Sequence, residues 1–178
     1  MRHILLALAV ASVSIVGLPS TTAQAQPRVF VAAQGSDANP CTFALPCRTF
    51  QRAHDVVAAK GEIDVLDPAG YGPVTISKSI SIQGHGFSGI SAPSGDAITI
   101  SAAGTDRINL RGLLIDGVGT GGNGIRFNVA GYLNIQDCLI RNFSGRGVYA
   151  TPTSSTRLSM SETFISDNGS DGDRKSVV

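Results

Sequence analysis

Charge is scarce in this 178-residue sequence: only 15% of residues are Asp, Glu, Lys or Arg, with 14 basic against 13 acidic. Arg2 is the one charged residue among the first 25, so the rest of the chain is balanced. A neutral chain carries no electrostatic footprint for nucleic acid or an anionic membrane. Tryptophan is absent and aromatics make up 6%. There are three cysteines. Beside Cys41 and Cys47 stands no second cysteine pair and no His-x-His partner, and His54 alone does not complete the four ligands of a zinc site. Helical periodicity holds over one stretch only. The single long apolar run, residues 4–16, is shorter than the ~20 residues a membrane span needs and lacks a flanking stop-transfer charge.

That run follows Arg2 and His3 and leads to Ala23-Gln24-Ala25, the pattern of a secretory signal with an A-x-A cleavage site. Residues 1–25 are therefore expected to be removed. The mature chain would begin at Gln26, extracellular or periplasmic, with no remaining membrane span. In an oxidising compartment Cys41 and Cys47, in a Pro-punctuated loop, read as a disulfide contributing about 2 kcal/mol for so short a closure. Cys138 falls in register with Leu113 and Thr163 and reads as a small residue stacked inside the structure rather than a reactive thiol.

What the sequence does have is a repeat. At a spacing of 25 residues, Ile108, Leu133 and Leu158 form one column, Leu110, Ile135 and Met160 a second, and Ile115, Ile140 and Ile165 a third. Such a period, with several short alternating apolar runs per repeat, is the signature of a β-solenoid, whose coils bury their inner faces only by stacking. Strands are expected at 63–66, 74–76 and 80–82 in a first coil, then at 96–100, 108–110 and 113–116. A third coil takes 123–127, 133–135 and 138–141, and a fourth 147–150, 158–160 and 163–166. Three strands per coil give a triangular section.

Ahead of the coils, residues 26–61 read as a cap: a strand over 28–32, the cysteine loop, and a helix from an N-cap at Thr49 to a stop at Gly61. Phe50, Ala53 and Val57 share its apolar face, with His54 one position round as a partly buried structural histidine. The helix would cover the core and strand edge that an open solenoid end exposes.

The segments Val29-Phe30-Val31, Gly35-Ser36-Asp37-Ala38-Asn39-Pro40-Cys41-Thr42, Pro46-Cys47-Arg48-Thr49-Phe50-Gln51-Arg52-Ala53 and Gly72-Pro73-Val74-Thr75-Ile76 resemble the amino-terminal cap of secreted right-handed parallel β-helix proteins. The coils that follow are similar to the repeat of the pectin lyase-like superfamily. The resemblance runs from Arg28 to about Gly172 and implies an all-β, right-handed parallel β-helix that is exported. The superfamily holds lyases, hydrolases, esterases, tailspikes and surface proteins, so activity does not follow from it. Cys41 and Cys47 stand where members usually carry Gly and Phe, which supports the disulfide.

Few residues offer chemistry. Gly84-His85-Gly86 resembles a polygalacturonase motif that would place His85 in an active site, but the paired acids before it and the Arg-x-Lys after it are missing, and a glycine-flanked turn accounts for the same letters. Asp96, Asp106 and Asp116 fall at different places round the coil, so no convergent Ca²⁺ site is formed; Ca²⁺ enters only with a lyase alternative. Asp137 and Glu162 are stacked equivalents that could meet the roughly 5–9.5 Å spacing of glycosidase carboxylates, but both sit in a tight turn that favours short polar residues. Asp116 over Arg141 reads as an exposed ion pair, and the Asn-x-Ser matches at Asn142 and Asn168 as turn asparagines. The most promising column is Thr99, Arg126 and Tyr149. These alternate with the inward pairs Ile98/Ile100, Ile125/Phe127 and Val148/Ala150 and so face outward together, an aromatic beside an arginine suited to a sugar. A carbohydrate-binding or cell-surface structural module is expected, with no metal or cofactor and a polysaccharide as partner; a lyase or hydrolase of acidic polysaccharide is the alternative.

Residues 173–178, Asp-Arg-Lys-Ser-Val-Val, break the pattern and resemble the translation of a common sequencing-library adapter. They are expected to be a non-native tail ending a truncated array of coils over 62–172, with an open strand edge at 163–166 prone to end-to-end association.

Overall fold

The computed structural model describes residues 25–152, 155–169 and, as backbone only, 176–177. The expected leader, and residues 173–175 and 178 of the expected tail, lie outside the described residues. The described residues fold as a parallel β-solenoid of about four turns with one short helix among them. In order it forms β1 (Gln26–Val31), α1 (Phe50–Val56), β2 (Val57–Val65), β3 (Val74–Ile76), β4 (Ile80–Ser91), β5 (Ile98–Ser101) and β6 (Arg107–Gly121). There follow β7 (Ile125–Val129), β8 (Tyr132–Gln136), β9 (Leu139–Phe143), β10 (Val148–Ala150), β11 (Arg157–Ser161), β12 (Phe164–Ser166) and β13 (Ser176–Val177). Among the described residues no helix is long and apolar enough to cross a membrane.

The strands stack as ladders of parallel pairs. The first ladder is β3-β5-β7-β10. The second runs β1-β2 and on through the first halves of β4 and β6 to β8 and β11. The third joins the second halves of β4 and β6 to β9 and β12. The 25-residue columns are the registers of these ladders. Val29, Ile63, Ile82, Leu110, Ile135 and Met160 follow one another up the second ladder, and Ile90, Ile115, Ile140 and Ile165 up the third. Burying an Ile or Leu side chain contributes about 1.5–3 kcal/mol, so these columns dominate the stability.

The later coils match expectation, but the first does not: the strand expected over 63–66 sits on the second ladder one rung before 80–82, Ile63 pairing with Ile82, so the two cannot share a coil, and the coil of 74–76 and 80–82 is completed by a different strand. Ser88–Ser91, the third-ladder part of β4, was not expected, because its one large apolar residue is Ile90. Gly89 is required there: a Cβ would stand 1.7 Å from the Leu114 carbonyl oxygen of the next rung.

The cap closes the first end. Phe30 N–H donates to Cys41 O and Cys47 N–H to Phe30 O, so the cysteine loop lies along the free edge of β1. The Cys41–Cys47 disulfide, with a Cα–Cα distance of 4.6 Å, ties that loop. Asp37 fixes the next corner by accepting from the backbone N–H groups of Arg48 and Thr49, and Thr49 Oγ1 caps α1 by accepting from Arg52 N–H at 3.1 Å. The helix is shorter than expected. It ends at Val56, and Gly61 lies within β2 rather than at a helix stop. Two features favour the strand: Val57 is β-branched and pairs with Gln26, and Gly61 passes so close to β1 that a Cβ would meet the Pro27 carbonyl oxygen at 2.7 Å.

His54 lies on the buried face of α1 rather than beside it, at 5% exposure. Its Nε2 accepts from Ser77 N–H at 3.2 Å, while Nδ1 lies 3.5 Å from Asp55 Oδ1. Burial, and then the charge of Lys78, hold its pKa below the ordinary 6.5, against the opposing effect of Asp55.

The last turn carries strands of intermediate burial, and Leu158 and Phe164 are 38% and 54% exposed. The edge expected to be open is partly paired: Phe164 and Ile165 of β12 lie antiparallel to Val177 and Ser176 of β13, an unpaired edge being a template for any available strand.

Two outcomes follow. Ile135→Ala should lower unfolding free energy by about 2–5 kcal/mol in urea titration, and Leu158→Ala, already part-solvated, by clearly less; equal losses would contradict the stacked-column picture. Because the folded His54 pKa is depressed, its contribution is fully present above the unfolded value of 6.5 and is lost as pH falls below it. His54→Gln, whose carbonyl can accept the Ser77 N–H without titrating, should flatten the fall in stability between pH 7 and pH 5, and an unchanged slope would refute this role.

Candidate functional site

On the first ladder the pleat alternates clearly in β5 and β7, where Ile98, Ile100, Ile125 and Phe127 are buried, and less so in β10 on the last turn, where Val148 and Tyr149 are half-buried and Ala150, expected inside, is exposed. Register still aligns Val148 with Ile98 and Ile125, and sets Thr99, Arg126 and Tyr149 in one column between the two apolar ones. Thr75 of β3 extends that column by one rung.

The three expected residues are thus brought together, and the surroundings fix their positions. The Arg126 guanidinium stands 5.5 Å from the Tyr149 ring centroid, with its Nη1 3.7 Å from Asp96 Oδ2. Asp96 is in turn held by Asn123, whose backbone N–H and side-chain Nδ2 both donate to Oδ1, at 2.9 and 2.8 Å. A second guanidinium, that of Arg146, lies 4.9 Å from the same ring. Arg146 N–H donates to Asn123 Oδ1 at 3.0 Å, so one asparagine anchors both the acid and the turn that carries the second cation. The sequence reading missed Arg146 because it lies in the turn before β10, outside any strand column. Each exposed cation–π contact is worth about 0.5–1 kcal/mol, and the solvent-exposed Arg126–Asp96 pair under about 1 kcal/mol. With two cations, one acid and an aromatic ring, the face keeps a positive balance and offers donors beside a flat apolar surface.

The other candidates take structural places. His85 lies at the corner between the second and third ladders, on β4, away from the first-ladder face. It adopts φ 56°, its Nε2 is 2.5 Å from Asp64 Oδ1, and its ring stacks on Phe87. Asp137 and Glu162 occupy the equivalent corner on later rungs with φ 54° and 50°. Hydrogen bonding to Asp137, and then repulsion from its charge, hold the exposed Glu162 carboxyl above its ordinary value, while Arg111, with Nε 3.3 Å from Asp137 Oδ2, opposes this. Asp116 and Arg141 form the expected pair, Nε to Oδ2 at 3.0 Å. Burial pushes the Asp116 carboxyl up, but hydrogen bonds from Val118 N–H, Asn142 and Arg141 outweigh it and hold the pKa below the usual value. Asn142, at φ 58°, spends its Nδ2 on Asp116, and Asn168 Oδ1 accepts from Phe143 N–H.

Asp106 is engaged by Ser79 Oγ at 2.6 Å and by Ala103 N–H, and Asp96 and Asp116 as above, so the three do not converge. Among the described residues no group of three or more His, Cys, Asp or Glu side chains is placed to hold a metal ion. Cys138 is buried, and desolvation pushes its thiol up to about 11, so it is not a thiolate at neutral pH. No protein-family model, curated protein or solved structure matches this chain.

The carboxyl pair makes a spectroscopic prediction. In an NMR titration Asp137→Asn should bring the Glu162 titration down towards the ordinary carboxylate range, since it removes the repelling charge and supplies a donor; an unmoved midpoint would disprove the coupling.

Proposed function

We propose that this chain is an exported, right-handed parallel β-helix protein of the pectin lyase-like superfamily, acting as a carbohydrate-binding or cell-surface structural module. Right-handedness is what strand-crossover-strand geometry in a parallel sheet favours in about 98% of cases. The disulfide-tied cap suits an oxidising compartment outside the cytosol. The observation that carries the binding role is the first-ladder face, where Tyr149 lies near the guanidiniums of Arg126 and Arg146 and Thr99 continues the column. A sugar ring placed on Tyr149 would present its C–H face to the aromatic surface and its hydroxyl or carboxylate groups to the guanidiniums. Polysaccharide is the partner, and binding needs no cofactor.

A catalytic alternative, cleavage of acidic polysaccharide, draws on one observation: the Asp137–Glu162 pair, in which one carboxyl holds its proton more tightly than usual. Against it stand the pair's place in an exposed corner and its neutralisation by Arg111.

Arg126→Ala and Tyr149→Ala should each abolish retention of the protein in affinity gels containing polygalacturonate, with folding checked by circular dichroism. Unchanged retention in both variants removes the binding role from this face. Release of unsaturated uronates or reducing ends from the same polymer would establish the enzyme instead.

A further inference from the structure

The third ladder carries a second outward face, which the reading above does not use and which does not depend on it. Its outer column is Gly89, Leu114, Leu139 and Phe164 on four successive rungs. Where Gly89 withholds a side chain, a hollow of about 610 Å³ opens, with Phe87, Leu114, Val118 and Pro68 on its apolar side and Asp116 and Asn142 on its polar side. The hollow cannot be filled by a larger residue at position 89, because a Cβ there collides with Leu114 O.

Two of its apolar residues are held at evident expense. Phe87 stays 47% exposed although His85 stacks on it at 5.7 Å, and His85 is itself tied to Asp64. Val118 is 58% exposed and adopts φ 55°, a left-handed conformation that is an outlier for a β-branched residue. It is kept there by Asp116 Oδ1, which accepts Val118 N–H at 2.8 Å. Backbone strain and an exposed apolar side chain are both unfavourable to folding. Their coincidence on one residue, which lines the same hollow as the exposed Phe87 ring, is the pattern of a preorganised binding site.

The polar side selects the occupant. Asp116 stays ionised and pairs with Arg141 at 3.0 Å, while Asn142 Nδ2 donates to it at 3.2 Å, so this rim carries an acceptor and no net charge. A purely apolar peptide side chain would strip water from the Asp116 carboxylate without replacing it. An acidic sugar would find no free cation on this rim, because Arg141 is already paired with Asp116. We infer that the Phe87–Val118 hollow binds one pyranose ring of a neutral glycan, its C–H face on Phe87 and Val118 and its hydroxyl edge donating to Asp116.

The test is affinity electrophoresis of the full chain through gels containing galactomannan or mixed-linkage β-glucan, at low and at high salt. Retardation by at least one neutral polymer, equal at both salt levels, is expected. Phe87→Ala and Val118→Gly should each weaken it at least about tenfold. Val118→Gly relieves the backbone strain, so its melting temperature should not fall and loss of binding cannot be ascribed to unfolding. No retardation in either polymer, or retardation unchanged in both variants, overturns the inference. So does binding of a hydrophobic dye that Val118→Gly abolishes while neither polymer is retained, which would assign the hollow to an apolar occupant. The first-ladder face is read with an anionic polymer, so either site can fail without the other.

Discussion

Each inward side chain of this solenoid finds its partners on the rungs above and below, and that axial stacking is what the remainder of the molecule is arranged around. A single coil holds a handful of aliphatic residues on one face and could not bury them alone. Stacked, Ile82, Leu110 and Ile135 reach 0% exposure in a core that also buries Phe50, Tyr71, Phe127 and Phe143. The same dependence explains the two ends. At the first, the cysteine loop hydrogen-bonds to β1 and α1 brings Phe50, Ala53 and His54 over the first rungs. At the other, Leu158 and Phe164 keep substantial exposure.

Because the ladders fix the interior so firmly, the exterior is free to carry chemistry at defined spacings. The alternation that turns Ile125 and Phe127 inward turns Arg126 outward, and parallel registration sets Tyr149 one rung away from it. The corners supply the rest. Asp137, Asn142, Glu162 and Asp167 adopt left-handed backbone angles, and Asp and Asn are the non-glycine residues that tolerate them best. The acids in the chain are largely spent on this architecture, satisfying backbone amides and neighbouring arginines, so the two outward faces proposed above as glycan sites present arginine, tyrosine and phenylalanine rather than a carboxylate cluster.

The sequence made the ladder registers legible because a repeat converts a long-range contact into a fixed offset: Leu133 over Ile108 and Ile140 over Ile115 could be paired by counting. The Thr99–Arg126–Tyr149 column followed from strand alternation. What escaped were features set by contacts without a period. The helix stops at Val56 because Val57 pairs with Gln26, and Ser88–Ser91 is a strand although Ile90 is its one apolar side chain among glycine and serine, because the next rung is already in place. Arg146 reaches Tyr149 from a turn, and the hollow beside Val118 depends on an absent side chain at Gly89 and on a backbone angle that no residue pattern announces.

Native-state hydrogen exchange followed by NMR bears most directly on the stacked-column account. Amides of Ile82, Leu110 and Ile135 should exchange together with the highest protection, and protection should decline across β10 and β11, which pair on one side only. Rapid exchange of the central rungs, or each rung opening independently of its neighbours, would contradict it.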